Sequence, residues 1–154
     1  MAPDHPVSAA DPYNLRRFIE AQQEDYEDAC AELRAGCKRT HWMWYIFPQM
    51  KGLGRSPTAD WFAISSLDEA RAYSLHPVLG PRLRECTRLV NLIDGRSLHE
   101  IFGSPDDLKF RSSMTLFALA TAENGEFLDA LRKYSAGEFD PSTLGLLKKH
   151  KGDV

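Results

Sequence analysis

The stretch from His41 to Ser56, HWMWYIFPQMKGLGRS, decides how this chain is read. Its first half crowds Trp42, Trp44, Tyr45 and Phe47 behind His41; Pro48 then breaks the run, and a basic loop, Lys51-Gly52-Leu53-Gly54-Arg55-Ser56, follows. The aromatic half shows neither strict alternation nor helical spacing and is built of rings that favour β structure. It therefore predicts a buried strand or an irregular extended segment over Arg39 to Phe47. A strand needs a partner, and no run of comparable quality occurs elsewhere in the chain. The expected fold class is mainly α: a single compact helical domain of about six helices with at most a short β-hairpin.

Helical signals surround the stretch. Upstream, Asp11 as N-cap and Pro12 at the first helical position predict a long helix. Its Leu15, Phe18, Ile19, Tyr26, Ala29, Cys30 and Leu33 recur at three- and four-residue steps, and Gly36 supplies a left-handed stop. Gln22 lies on this stripe and Glu20 beside it. Downstream, Ser66 to Glu69 has the spacing of a capping box and opens a short helix to about Leu75, with His76 as a turn residue. Pro77 or Pro81 restarts the chain into a stripe of Val78, Leu83, Cys86, Leu89, Val90 and Ile93, which Gly95 ends. Ser97 to Glu100 is a second capping box, opening the turn LHEIF that Gly103 closes. Ser104-Pro105-Asp106-Asp107 predicts a further helix start, with a serine cap, proline at N1 and two carboxylates where the helix dipole is positive. The apolar line of Leu108, Met114, Phe117 and Ala118 makes this a central helix reaching about Ala122. Asn124-Gly125 turns into FLDALRKY, and Asp140-Pro141 starts one last short helix.

At 154 residues the chain is the size of one ordinary domain, and its 43% hydrophobic and 27% charged residues are those of a globule that folds unaided. Residues 1–10 read as a disordered leader, residues 11–150 as the helical domain, and the tail HKGDV as a frayed end. A formal charge of −3 gives no global basic field, so bulk nucleic-acid binding is not expected. Neither a signal peptide nor a membrane span is visible, which implies a cytoplasmic protein with no membrane partner. Cys30, Cys37 and Cys86 are odd in number and lack C-x-x-C spacing, so they read as reduced, part-buried thiols. No cofactor is implied, and the histidines lack thiolate or carboxylate partners at metal-binding spacing, so no metal is expected. The oligomeric state is left open.

The chemistry concentrates after Pro48. In Lys51 to Ser56 two glycines let backbone N–H groups approach an anion, beside two cations and a hydroxyl. Lys51, Gly54, Arg55 and Ser56 thus form a candidate phosphate or carboxylate clamp, although the loop matches neither the P-loop nor the dinucleotide fingerprint and also fits a solvated turn. Trp42 and Trp44 can stack a nucleobase or belong to the core. His41, next to the indoles, can act as acid or base, or can simply satisfy a carbonyl. Glu20, if desolvated against the aromatic segment, is the candidate carboxylate for proton transfer, with Gln22 as its neighbour at the site; an exposed helix glutamate is the alternative. Lys109 sits early in the helix from Pro105, where it can close over a second anionic group or lie on an exposed face.

The stretches NLRRFIEAQ, HWMWYIFPQMKGLGRS, HPVLGPRL and IFGSPDDLKFRSSMTLF together resemble a bacterial family of unknown function, family eighteen-ten, from about Tyr13 to the C-terminal helix. The resemblance implies a mainly helical single domain and no established activity. Some members carry the label calpastatin, a disordered inhibitor class that this composition does not match. A more distant likeness, on Glu20 with Gln22, Leu53-Gly54-Arg55 and Lys109-Phe110, is to the YbiA-like or NADAR domains. It implies a nucleotide-like ligand related to ADP-ribose or NAD, or the hydrolysis of an N-glycosidic bond. The alternative is a non-catalytic helical module that docks a protein through an aromatic patch between Trp42 and Trp61.

Overall fold

The computed structural model describes residues 10–152, with side chains to residue 149. Most of the expected leader and the side chains of the expected frayed tail lie outside the described residues. Helix α1 (Arg16–Arg34) begins later than Asp11 and Pro12 predict. Asp11 still caps it from a distance: Oδ1 accepts from the Leu15 amide at 2.8 Å and Oδ2 from the Arg16 amide at 3.1 Å. The helix stops where expected, at Gly36 with φ +78°, where the amides of Gly36 and Cys37 donate to the carbonyls of Leu33 and Glu32.

There follow α2 (Met43–Ile46), α3 (Pro57–Trp61), α4 (Leu67–Leu75), α5 (Leu79–Asn91), α6 (Leu98–Phe102), α7 (Asp106–Ala120), α8 (Gly125–Ser135) and α9 (Pro141–Gly152). The protein is mainly α, with α1, α4, α5, α7, α8 and α9 as its longer helices and α2, α3 and α6 as helical segments of four or five residues. No hairpin forms among the described residues; Met50 and Ile64 make an isolated parallel bridge. No helix among them is long and apolar enough to cross a membrane.

The aromatic segment departs most from its sequence expectation. Met43 to Ile46 is a helical turn, not a strand. The cause lies on α1, where the Glu32 carboxylate accepts from the Arg39 amide at 2.7 Å, the Thr40 amide at 3.0 Å, the Thr40 hydroxyl at 2.6 Å and the Trp42 indole at 3.0 Å. Backbone donors that a strand would offer to a neighbour are thus taken by one side chain. Tyr45 is also answered from within. The Tyr45 hydroxyl donates to Asp25, and the Tyr45 carbonyl accepts from Gln22 Nε2 at 2.7 Å.

Two chains of touching rings fill the core. One joins Trp42, Phe47, Phe102 and Phe110; the other runs Phe62, Phe18, Tyr73, Phe117, Phe127 across α1, α4, α7 and α8. Helix α7 is central as expected, packed by α4, α6, α8 and α9, while α5 lies against α1, α4 and α8. Its buried residues are Phe110 and Ser112 to Ala118. Leu108, expected on the apolar line, is instead 63% exposed, because it precedes the turn at which α7 enters the core.

Local capping signals hold where both partners are local. Ser97 and Glu100 make both bonds of the capping box, and Asp140 caps α9 through the Thr143 amide at 3.0 Å. At Ser66 only the serine half forms: Glu69 is buried and turns to Arg17 Nη2 at 2.8 Å and to the Ser65 amide and hydroxyl. Ser104 does not cap α7. The Ser104–Pro105 peptide is cis, Pro105 occupies the N-cap, and the Asp107 amide is met by the Gly103 carbonyl instead.

Candidate functional site

Beyond the bridge at Met50 the chain turns at Gly52, with φ +104°, and folds back tightly at Gly54. A Cβ at Gly54 would lie 2.4 Å from the Ala59 Cβ, so only glycine lets the loop close onto α3. Ser56 secures the same turn, its Oγ accepting from the Ala59 amide at 3.0 Å. Gly54, Arg55 and Ser56 thereby line one side of a cleft of about 480 Å³, whose other side is made by Pro105, Lys109 and Ser112 near the start of α7 and by Asp140 and Ser142 at the start of α9. The volume is within the range of small-molecule sites.

The charged groups of the cleft are committed to different degrees. Arg55 is exposed and has no hydrogen-bond or ion-pair partner among the described residues. Lys109 Nζ lies 3.4 Å from Asp106 Oδ1, but Asp106 is also held by Lys38 Nζ at 2.9 Å, so one carboxylate is divided between two ammonium groups. Ser56 uses a lone pair for its cap and keeps its O–H to donate. Behind Gln49, Gly54 and Ala59 a narrow pocket of about 10 Å³, room for a single water, reaches Trp44. The Trp44 ring also lies 5.7 Å from Lys109 Nζ.

Of the residues singled out in the sequence, Gly54, Arg55, Ser56 and Lys109 meet at this cleft, with Trp44 just behind it. Lys51 is exposed on the same loop, outside the cleft lining. Gln22 is placed in the core, where Nε2 donates to the Tyr45 carbonyl and to Tyr73 Oη at 3.1 Å and Oε1 accepts from Arg82 at 3.3 Å. Trp42 is fully buried. Glu20 and His41 are exposed and do not line the cleft; the partner of Glu20 is Arg16 one turn back, at 3.5 Å. Glu20, His41 and Arg55 therefore do not converge. His76 is a turn residue, its Nδ1 accepting from the Val78 and Leu79 amides.

Sequence reasoning missed Asp140 as part of the site. Asp140-Pro141 signals a helix start, which it is, and nothing local shows that the same carboxylate borders a cleft formed with residues 49–59. The strongest carboxylate perturbation lies elsewhere, at Glu32. Burial pushes its pKa up, but hydrogen bonds from the Thr40 hydroxyl, the Arg39 and Thr40 amides and the Trp42 indole outweigh that and hold it at about 2. Cys30 and Cys86 are buried rather than part-buried, with sulfurs 4.0 Å apart, and the hydrogen bond between them favours the thiolate at Cys30 and the thiol at Cys86. No group of three or more His, Cys, Asp or Glu among the described residues is arranged to hold a metal ion.

The comparisons agree with the helical architecture. The chain is similar to a conserved hypothetical protein, Rv1873 from Mycobacterium tuberculosis, whose crystal structure at 1.38 Å shares 57% identity and a TM-score of 0.88. That match covers 90% of this chain and 99% of the other. No curated relative matches the chain. A family model described as protein of unknown function, DUF1810, matches residues 12–147, and the chain belongs to that family.

Proposed function

We propose that the cleft between the 53–59 loop and the starts of α7 and α9 binds a small phosphate-bearing ligand of nucleotide type. The observation that carries this reading is the meeting of Gly54, Arg55, Ser56 and Lys109 in one concave site, with Arg55 free of any partner among the described residues. Two cations and a hydroxyl donor can share the oxygens of one phosphate group, and Arg55 adds the planar fork that suits them. The distant likeness to NADAR domains directs the choice of probe to ADP-ribose and NAD. The three free thiols fit a reducing, cytoplasmic setting.

Binding is proposed ahead of hydrolysis. N-glycosidic cleavage calls for a carboxylate beside the reacting carbon, and Glu20 and His41 lie away from the cleft, which leaves Asp140 as its lining carboxylate. The docking alternative loses part of its patch, since Trp42 is fully buried while Trp61 is 56% exposed.

Calorimetric titration with ADP-ribose, followed in parallel by tryptophan fluorescence, tests the reading. Saturable binding weakened at least about tenfold by Arg55→Ala is expected, the loss of one charge-assisted contact. Absence of heat and of fluorescence change with ADP-ribose, NAD and inorganic phosphate at millimolar concentration would overturn it.

A further inference from the structure

We infer that Asp140 reads the sugar of the ligand, so that the cleft selects a phosphate ester of a sugar with vicinal hydroxyls, ribose over 2-deoxyribose; this rests on the phosphate-binding reading above. The two carboxylate oxygens of Asp140 have different fates. Oδ2 accepts from the Thr143 amide at 3.0 Å and the Thr143 hydroxyl at 2.6 Å, and it lies 2.9 Å from Ser112 Oγ, whose proton it shares with the Leu108 carbonyl. The Asp140 amide donates to Thr115 Oγ1 at 2.9 Å, so the residue is held at both ends against α7 and α9. Oδ1 has no partner among the described residues.

Capping α9 needs one acceptor oxygen, which Asn, Ser or Thr would supply equally well. Asp140 lines a cleft that also holds Arg55 and Lys109, and Oδ1 is the carboxylate oxygen the cap leaves uncommitted. An anionic carboxylate repels phosphate and accepts from hydroxyls, so the two kinds of group sort one ligand: phosphate to Arg55 and Lys109, hydroxyl to Asp140. An acidic side chain accepting from a ribose hydroxyl, next to a phosphate site, is a recurring solution in nucleotide recognition. A cationic ligand would also satisfy Asp140, but the Arg55 guanidinium and the Lys109 ammonium in the same cleft oppose it.

Asp140→Asn is a discriminating variant because every observed bond to the side chain ends on Oδ2. An amide with its oxygen in that place keeps the cap and turns the Oδ1 position from acceptor into donor. The native chain and this variant are titrated with ribose 5-phosphate, 2-deoxyribose 5-phosphate and inorganic phosphate, with melting temperatures measured alongside. The native chain is expected to favour ribose 5-phosphate over the deoxy sugar by about tenfold, one hydrogen bond to a charged group. In Asp140→Asn that preference is expected to fall to about twofold or less, with inorganic phosphate bound at least as tightly as by the native chain. Arg55→Ala is expected to weaken both sugar phosphates by the same factor and leave their ratio intact. Equal affinity of the native chain for the two sugars, or a ribose preference that persists in Asp140→Asn, would overturn the assignment of Asp140 while phosphate binding stands. If Asp140→Asn fails to fold, Asp140→Ser, which keeps one capping oxygen and no carboxylate, is titrated in its place, with the same loss of the ribose preference expected. Failure of all three probes to bind the native chain overturns this inference, and failure of ADP-ribose and NAD as well overturns the phosphate reading with it.

Discussion

Two neighbouring regions, residues 41–50 and residues 51–59, are built on opposite principles. In the first, the polar groups of the two buried rings that carry them find protein partners: the Trp42 indole on Glu32, the Tyr45 hydroxyl on Asp25, the Tyr45 carbonyl on Gln22 and Tyr73. In the second, Lys51 and Arg55 are exposed and engage no acceptor through their side chains among the described residues. Polar groups satisfied inside the chain hold the fold together; polar groups left over at a concave surface are the ones available to a ligand. The aromatic wealth of the first region is thus largely structural, and the uncommitted cations lie in the plainer loop beside it.

Substitutions sharpen that contrast, and the largest effect belongs to the buried side. Trp42→Ala removes a fully buried ring and its indole bond and is expected to cost about 3–5 kcal/mol of stability, read by urea unfolding. Glu32→Ala strips the acceptor from four donors and is expected to cost about 1–3 kcal/mol. Because the Glu32 pKa is depressed in the fold, its contribution is present in full above the ordinary carboxylate range. It fades as pH falls from 4.5 toward about 2. The stability gap between Glu32→Ala and the native chain should therefore be smaller at pH 3 than at pH 7. An equal gap at both would deny the carboxylate its anchoring role.

Smaller effects fall on the loop. Gly54→Ala forces a methyl onto Ala59 and is expected to cost about 1 kcal/mol, with ligand binding weakened because the turn that positions Arg55 opens. Arg55→Ala comes last, within about 0.5 kcal/mol of the native stability while phosphate binding falls. A large stability loss at Arg55, or none at Trp42, would erase the distinction between the two regions.

What could be read from the residues followed the range of the interactions involved. Ser97 with Glu100, Gly36 and Asp140-Pro141 act within one turn of chain, and each marks its helix boundary as expected. Glu69 did not complete its capping box because Arg17, far back in the chain, competes for it with a buried ion pair. Gln22 and Glu20 sit two positions apart on α1, and only the packing of α2 and α4 against that helix separates a buried hydrogen-bond hub from an exposed glutamate.

The sequence by itself determined a mainly helical chain, the central place of α7 and the loop whose cations suit an anion, because periodicity, caps and glycine positions act locally. Tertiary structure decided that the aromatic run is a helical turn: Glu32 takes the Arg39 and Thr40 amides and the Trp42 indole at its entry, and the amides of Tyr45, Ile46 and Phe47 turn back to Trp42 and Met43. It alone also brought Asp140, Lys109 and Arg55 to one cleft, because a cleft arises where segments distant in sequence meet, and no local pattern records that meeting.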